Sequence, residues 1–181
     1  MIFNVAGLLM GDIGGMRQHN LENERLDTEY ASFQDITGPV RTLRTDRTIL
    51  VTAEIQAHVW EYCSRCLEPA MLQLTGDLEE EFHPLNSDLM GIHPGDVETN
   101  DPFDQVFMID ERNNLDLTEA LRQTLTGIMP IAPLCQPECA GICPTCSTNR
   151  NEHSCDCERD ITDSRWDALA GLTSRVANSD N

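Results

Sequence analysis

Hydrophobic and polar positions alternate most clearly between residues 49 and 59. Ile49, Val51, Ala53, Ile55, Ala57 and Val59 occupy one phase, and Thr52, Glu54, Gln56 and His58 the other. A period of two puts the first set on one side of an extended chain, so the segment is predicted to be a half-buried strand. Trp60 and Tyr62 continue the outer phase, which implies partial cover on that side. Beyond the stretch CSRCLEP at 63–69, Leu72, Leu74, Leu78 and Phe82 form a second alternating set through TGDLEEEF. The simplest arrangement is an antiparallel pair whose turn carries Cys63 and Cys66.

Elsewhere the pattern is weaker. Ile2–Leu9 reads as an apolar strand, followed by Gly-rich and polar sequence through Gly11, Gly14 and Gly15; a short strand is expected near Val40–Leu43. Residues 83–105 hold Asp88, Asp96, Glu98, Asp101 and Asp104 without an arginine, punctuated by Pro and Gly, and are expected to form an exposed acidic loop. Val106–Ile109 is expected to return to the sheet. A helix is expected at 116–128: Asp116 as N-cap, Glu119 three residues on, an apolar face of Leu117, Leu121, Leu125 and Ile128, and Pro130 to stop it. A short last helix, opened by Asp163 or Ser164 and ended by Gly171, would set Trp166 and Leu169 on the core.

Charge narrows the function classes. The 181 residues carry 31 Asp+Glu against 12 Lys+Arg, a formal net charge of -19, and every basic residue is Arg. Without lysine there is no Walker-type phosphate grip, no Schiff-base chemistry and no Lys-rich tail to follow nucleic acid. Residues 1–70 hold ten acids and six arginines, residues 71–129 thirteen and two, and residues 130–181 eight and four, so the acidic field is central. Arg41, Arg44, Arg47 and Arg65 are the candidates for contact with RNA or an acidic partner, against the plainer reading of sheet-edge solubility. Adaptation to a salty cell or a GC-rich genome would also produce this composition. The start lacks the positive region of a signal peptide, and no apolar run approaches a membrane span. The expectation is a cytoplasmic protein with no membrane and no DNA partner.

The eight cysteines are Cys63, Cys66, Cys135, Cys139, Cys143, Cys146, Cys155 and Cys157. In a reducing compartment, thiols this close in sequence are better read as metal ligands than as disulfides. Soft thiolates at C-x2-C spacing suit tetrahedral zinc, and eight fill two closed sites. The expectation is therefore two structural zinc ions. The favoured partition closes Cys135, Cys139, Cys143 and Cys146 locally and joins Cys63 and Cys66 to Cys155 and Cys157. A crossed alternative joins Cys63 and Cys66 to Cys143 and Cys146. His153 is a spare ligand or a surface histidine. Four thiolates on one divalent ion keep a net negative charge, so the metal adds no positive field for RNA.

No HExxH, GxSxG, GxGxxG or P-loop spacing occurs, and no residue stands out as a catalyst. Glu79, Glu80 and Glu81 read as a solvated strand end, and His58 as a surface histidine. A closed zinc site offers no open position for substrate, so no enzyme is expected. Thiol exchange after metal loss keeps a thiol or metal-dependent enzyme as a remote alternative.

The order of motifs resembles the bacterial large-ribosomal-RNA-accumulation protein family, in its metal-binding branch. The resemblance rests on CSRCLEP at 63–69, DLEEEF at 77–82, LDLTEALRQTLTGIMPIAPLC at 115–135, ECAGICPTCSTNRNEHSCDC at 138–157 and DSRWDAL at 163–169. It implies a non-catalytic factor supporting large-subunit ribosomal RNA accumulation and ribosome biogenesis. Cys63, Arg65, Cys66, Leu67, Glu68 and Pro69 match the family's most characteristic turn, where Arg65 either meets a phosphate or pairs with Glu68. Ser147 stands where Gly is common and Ser164 where Pro is common.

Taken together, these readings predict an α+β protein. Residues 1–129 form a small antiparallel β-sheet with one principal packed helix. Residues 130–181 form a C-terminal cysteine-rich zinc-binding appendage joined to the Cys63/Cys66 turn. The expected partner is a large-subunit ribosomal RNA precursor or a basic ribosomal protein. A zinc-ribbon protein-protein interaction module without direct RNA binding is the alternative.

Overall fold

In the computed structural model, the described residues are 1–85 and 107–157. The chain divides into two compact units, residues 1–139 and 140–181, and residues 130–139 therefore lie within the first.

The first unit is mostly sheet. Its strands are β1 (Ile2–Asn4), β2 (Met16–Asp27), β3 (Ser32–Arg44), β4 (Ile49–Tyr62), β5 (Pro69–Pro84), β6 (Met108–Ile109) and β7 (Asn114–Asp116). Two helices accompany them among the described residues, α1 (Ala6–Leu9) and α2 (Thr118–Ile128). The strand order is β1-β7-β6-β5-β4-β3-β2. The sheet is larger than the small one expected and not wholly antiparallel, because β5 and β6 run parallel. It curls into a half-barrel with unpaired edge strands β1 and β2, across which the rings of Phe3 and His19 lie 4.8 Å apart.

The β4–β5 pair follows the alternation closely. Ile49, Val51, Ala53, Ile55, Ala57 and Val59 are all buried, opposite a β5 inner face of Ala70, Leu74, Leu78 and Phe82. The register runs unbroken from Ile49↔Phe82 to Tyr62↔Pro69. Leu117, Leu121 and Leu125 are buried against this core, and Ile128 covers it from the end of α2. Gly76 marks that contact: a Cβ there would lie 3.0 Å from Ile128 Cδ1. Met129 turns extended just before Pro130, which stops the helix. The N-cap is Leu117, one residue later than expected. Asp116 still accepts the Thr118 amide at 3.0 Å and hydroxyl at 2.6 Å.

Three expectations for residues 1–44 need correction. The apolar start is a strand only to Asn4. Val5, the N-cap of α1, and Leu8 and Leu9 on it are buried at helical spacing, and the Ala6 amide donates to Asn4 Oδ1. The polar stretch after Met16 is the 12-residue strand β2, and the short strand near Val40 is the 13-residue β3. β2 is an edge strand that buries only Leu21 and Leu26, and register breaks between Leu21 and Leu26 destroy the period of two. β3 reaches its length through Gly38. At φ +148° this residue lies so close to β4 that a Cβ would stand 1.8 Å from the Glu54 carbonyl oxygen.

Most of the expected acidic loop at 83–105, Val106 and the expected helix at 163–171 lie outside the described residues. No helix among the described residues is long and apolar enough to cross a membrane.

Candidate metal centres

Two groups of four cysteines form, one in each unit. Cys63, Cys66, Cys135 and Cys139 bring their sulfurs within 4.8 Å of one another, and so do Cys143, Cys146, Cys155 and Cys157. This partition differs from both arrangements expected above. Each C-x2-C turn joins the next cysteine pair along the chain. Cys135 and Cys139 therefore close the site on the β4–β5 turn, not a local one with Cys143 and Cys146.

The first site is built where the sheet's longest hairpin ends. β4 stops at Tyr62, and the Cys63 amide donates to the Glu68 carbonyl at 2.9 Å, closing the turn. The Leu67 amide donates back to the Cys63 carbonyl at 2.9 Å, with Leu67 left-handed at φ +62°. The second pair arrives from α2. After Pro130 the chain runs back, and the Pro133 carbonyl accepts the Ser64 amide at 2.7 Å and its hydroxyl at 3.0 Å. Leu134 packs on Cys63, Cys66 and Cys139. Helix stop and hairpin turn thus deliver two thiols each to one spot, where Cys63, Cys66 and Cys139 are buried and Cys135 is exposed.

The second site repeats the turn. The Cys143 amide donates to the Thr148 carbonyl at 2.8 Å and the Ser147 amide to the Cys143 carbonyl at 2.9 Å, with Ser147 at φ +57°. Ser147 therefore holds the left-handed position at which glycine would be unstrained. Residues 149–152 carry the chain round to Cys155 and Cys157: the Arg150 amide bonds the Gly141 carbonyl at 2.8 Å, and Asn151 Oδ1 accepts the Ala140 amide at 2.8 Å. His153 is exposed and lies outside the group of four sulfurs.

The donor geometry fits zinc. A tetrahedron of sulfurs about 2.3 Å from its centre has edges of about 3.8 Å, and Cys63–Cys139 and Cys66–Cys135 are both 3.7 Å apart, sulfur to sulfur. The acidities fit as well. The Cys66 and Cys135 backbone amides draw Cys63 down to about 6 against burial, and those of Cys146 and Thr145 draw Cys143 down to about 6. Desolvation and three neighbouring thiols push Cys135 up to about 12. The Cys146 thiol and burial do the same for Cys157. Four such thiols do not ionise together by themselves; a divalent cation in their midst makes all four thiolates favourable.

The four arginines singled out in the sequence do not form one patch. Arg41 projects from β3 in the row Arg41–Thr52–Glu79. Arg44 bonds the Gly11 carbonyl through Nη1 and clasps the Gly11–Gly15 loop through its backbone. Arg47 lies 3.8 Å from Asp46 in the exposed β3–β4 turn. Arg65 lies past the far end of β4, on the order of 40 Å from that turn by strand rise, and donates through Nη1 to the Cys139 carbonyl at 3.0 Å. No Arg65–Glu68 ion pair forms among the described residues. The carbonyl grip of Arg65 and the Ser64–Pro133 clasp left no mark in the sequence. The repeated C-x2-C, by contrast, could have been read as two separate site nuclei.

Comparison with known proteins completes the picture. A family model described as large ribosomal RNA subunit accumulation protein YceD matches residues 51–173, well over half of the chain. Uncharacterized proteins of Mycobacterium bovis and Mycobacterium tuberculosis are 29% identical over 98 residues, which is 54% of this chain and 43% of theirs. The matched stretch thus spans less than half the length of those curated relatives. No solved structure matches the chain.

Proposed function

Because the chain belongs to the large ribosomal RNA subunit accumulation protein family, we propose that it is a non-catalytic factor supporting that accumulation during ribosome assembly. The observation that carries this reading is the family match over residues 51–173, which takes in all of the β4–β5 hairpin but its first two residues, and all eight cysteines. Each cysteine group holds one zinc ion through four thiolates. The ions act structurally: the first pins the segment following α2 to the tip of the hairpin, and the second organises residues 140–157. With four protein ligands on each ion, no coordination position is left for a reacting water.

The field around the sheet favours a basic ribosomal protein as the immediate partner over naked RNA. A net charge of -19, with the arginines scattered, gives a polyanion little to bind. The test is the ratio of large- to small-subunit ribosomal RNA in cells depleted of the protein. A fall restored by the wild-type gene is expected; a ratio unchanged by depletion would remove the reading.

A further inference from the structure

The inner face of β4 and β5 is covered by the core and by α2 at Gly76, and the outer face carries no packed element among the described residues. Strand register orders that outer face into rows. From the metal end they are Tyr62/Pro69, Trp60/Met71, His58/Gln73, Gln56/Thr75, Glu54/Asp77 and Thr52/Glu79. The metal end is apolar and open: Tyr62 is 69% exposed, Trp60 57%, Met71 57% and Leu67 59%. The middle is acidic, because Glu54 and Asp77 face each other directly and Glu79 follows on the same side. These carboxylates border a shallow groove with Arg41, and none of them forms an ion pair among the described residues.

Two features of this face work against stability. Like charges directly opposite on adjacent strands repel, and large apolar side chains left in water forgo their burial. Both are relieved by one kind of occupant. We propose that the outer face of the β4–β5 hairpin binds an extended basic segment of a protein partner, with bulky aliphatic side chains seated on Trp60 and Met71 and Lys or Arg side chains over Glu54, Asp77 and Glu79. This rests on the reading above that the partner is a basic protein, and names the surface and the segment's chemistry. From Tyr62 to Glu54 the face is about 27 Å long at strand rise, the span of about eight extended residues.

The charge pattern decides against the other occupants. Trp60 and Tyr62 could stack on bases, as in single-strand binding proteins. A strand running on along the face, however, would lay its phosphates on Glu54, Asp77 and Glu79, with Arg41 the one cation at the groove among the described residues. A second copy of this chain would set two strongly acidic molecules against each other.

The experiment uses the full zinc-loaded chain and a ten-residue peptide with two leucines at one end and four lysines spaced along the rest. Binding is read by anisotropy of a peptide label across a salt series, with two controls: the peptide with Glu for each Lys, and a ten-nucleotide single-stranded RNA. The expected result is binding of the lysine peptide alone. It should weaken about tenfold in Trp60→Ala/Met71→Ala, lose most of its salt dependence in Glu54→Gln/Asp77→Asn/Glu79→Gln, and be unchanged in Asp12→Asn/Glu111→Gln, which neutralises exposed acids in the α1–β2 and β6–β7 turns, neither of them lining the groove. Equal weakening by the Asp12/Glu111 pair would reduce the binding to general acidity and overturn the proposal. So would absence of peptide binding, or RNA binding lost with Trp60. The ribosomal RNA ratio separates the two readings. A ratio that responds to depletion while the peptide fails to bind removes the surface alone. Face-specific peptide binding with an unresponsive ratio removes the assembly role and leaves the surface standing.

Discussion

Arg65 reaches across the first cysteine group to the backbone of its last ligand: Nη1 donates to the Cys139 carbonyl at 3.0 Å. The guanidinium thus ties the hairpin turn to the segment arriving from α2, across the four sulfurs. Arg65→Ala is expected to loosen metal retention. A net hydrogen bond is worth about 1 kcal/mol, so zinc release to a chromophoric chelator from the first site should quicken by about fivefold. The Cys143 group, in the other unit, should release at the wild-type rate. An unchanged rate at both sites would show that the bond contributes nothing to the centre.

The two close-approach glycines differ in what they face. A Cβ at Gly76 meets the end of the Ile128 side chain at 3.0 Å, which can shift. A Cβ at Gly38 meets the Glu54 carbonyl oxygen at 1.8 Å, with φ at +148°. Gly76→Ala should cost about 1 kcal/mol and be largely rescued in Gly76→Ala/Ile128→Val. Gly38→Ala should cost about 3 kcal/mol or more, because backbone must move and the conformation is strained. Urea unfolding of the three variants measures this, and equal costs for the two alanines would contradict the packing described.

What the sequence made legible follows from how each element is stabilised. β4, β5 and α2 bury one face against one core, so Ile49–Val59 and Leu117–Leu125 display their periods openly. β2 was hidden because its partner is β3 and its side chains are mostly in water; Leu21 and Leu26, five apart across a bulge, show neither a strand nor a helix period. All eight ligand candidates could be named from spacing, and the structure draws all eight into the two groups. Their pairing could not, since it depends on where α2 stops and sends Pro133 back to Ser64. Arg44 reads in the sequence as a candidate partner contact or a sheet-edge charge; its bond to Gly11 spans 33 residues, beyond any local pattern.

The separation of the two cysteine groups predicts independent metal loss. Cys66→Ser should leave about one zinc per chain by elemental analysis, and so should Cys155→Ser, against about two for the wild type. Only Cys66→Ser should lower the thermal stability of residues 1–139, because only that site clamps the β4–β5 hairpin. Loss of both ions from either variant would mean that the sites are coupled.

Asp116 supplies a pH dependence. Burial raises its carboxyl, but the Thr118 hydroxyl and amide together with the Met1 ammonium outweigh this and hold it below the ordinary 3.8. A folded-state pKa below the unfolded one gives stability that is complete above the unfolded value and lost as pH falls through the folded one. Asp116→Asn should therefore be less stable than wild type at pH 6, with the gap closing below about pH 4. Zinc leaves both proteins in acid, so the difference between their urea midpoints isolates Asp116. A gap independent of pH would rule out the charge as its source.

Glu54 and Asp77 stand directly opposite each other on the exposed face of the hairpin, neither of them with an ion-pair partner among the described residues. Opposed like charges cost up to about 1 kcal/mol, screened by salt at an exposed site. Glu54→Gln or Asp77→Asn alone should raise the thermal midpoint by a few degrees at low salt, and by less at high salt. The double variant should add little to either single change, because the first neutralisation already removes the repulsion. Such non-additivity would identify the pair as a destabilising contact retained in the free protein. Simple additivity would instead place both carboxylates in ordinary solvated surroundings and remove the electrostatic argument for a basic occupant of that face.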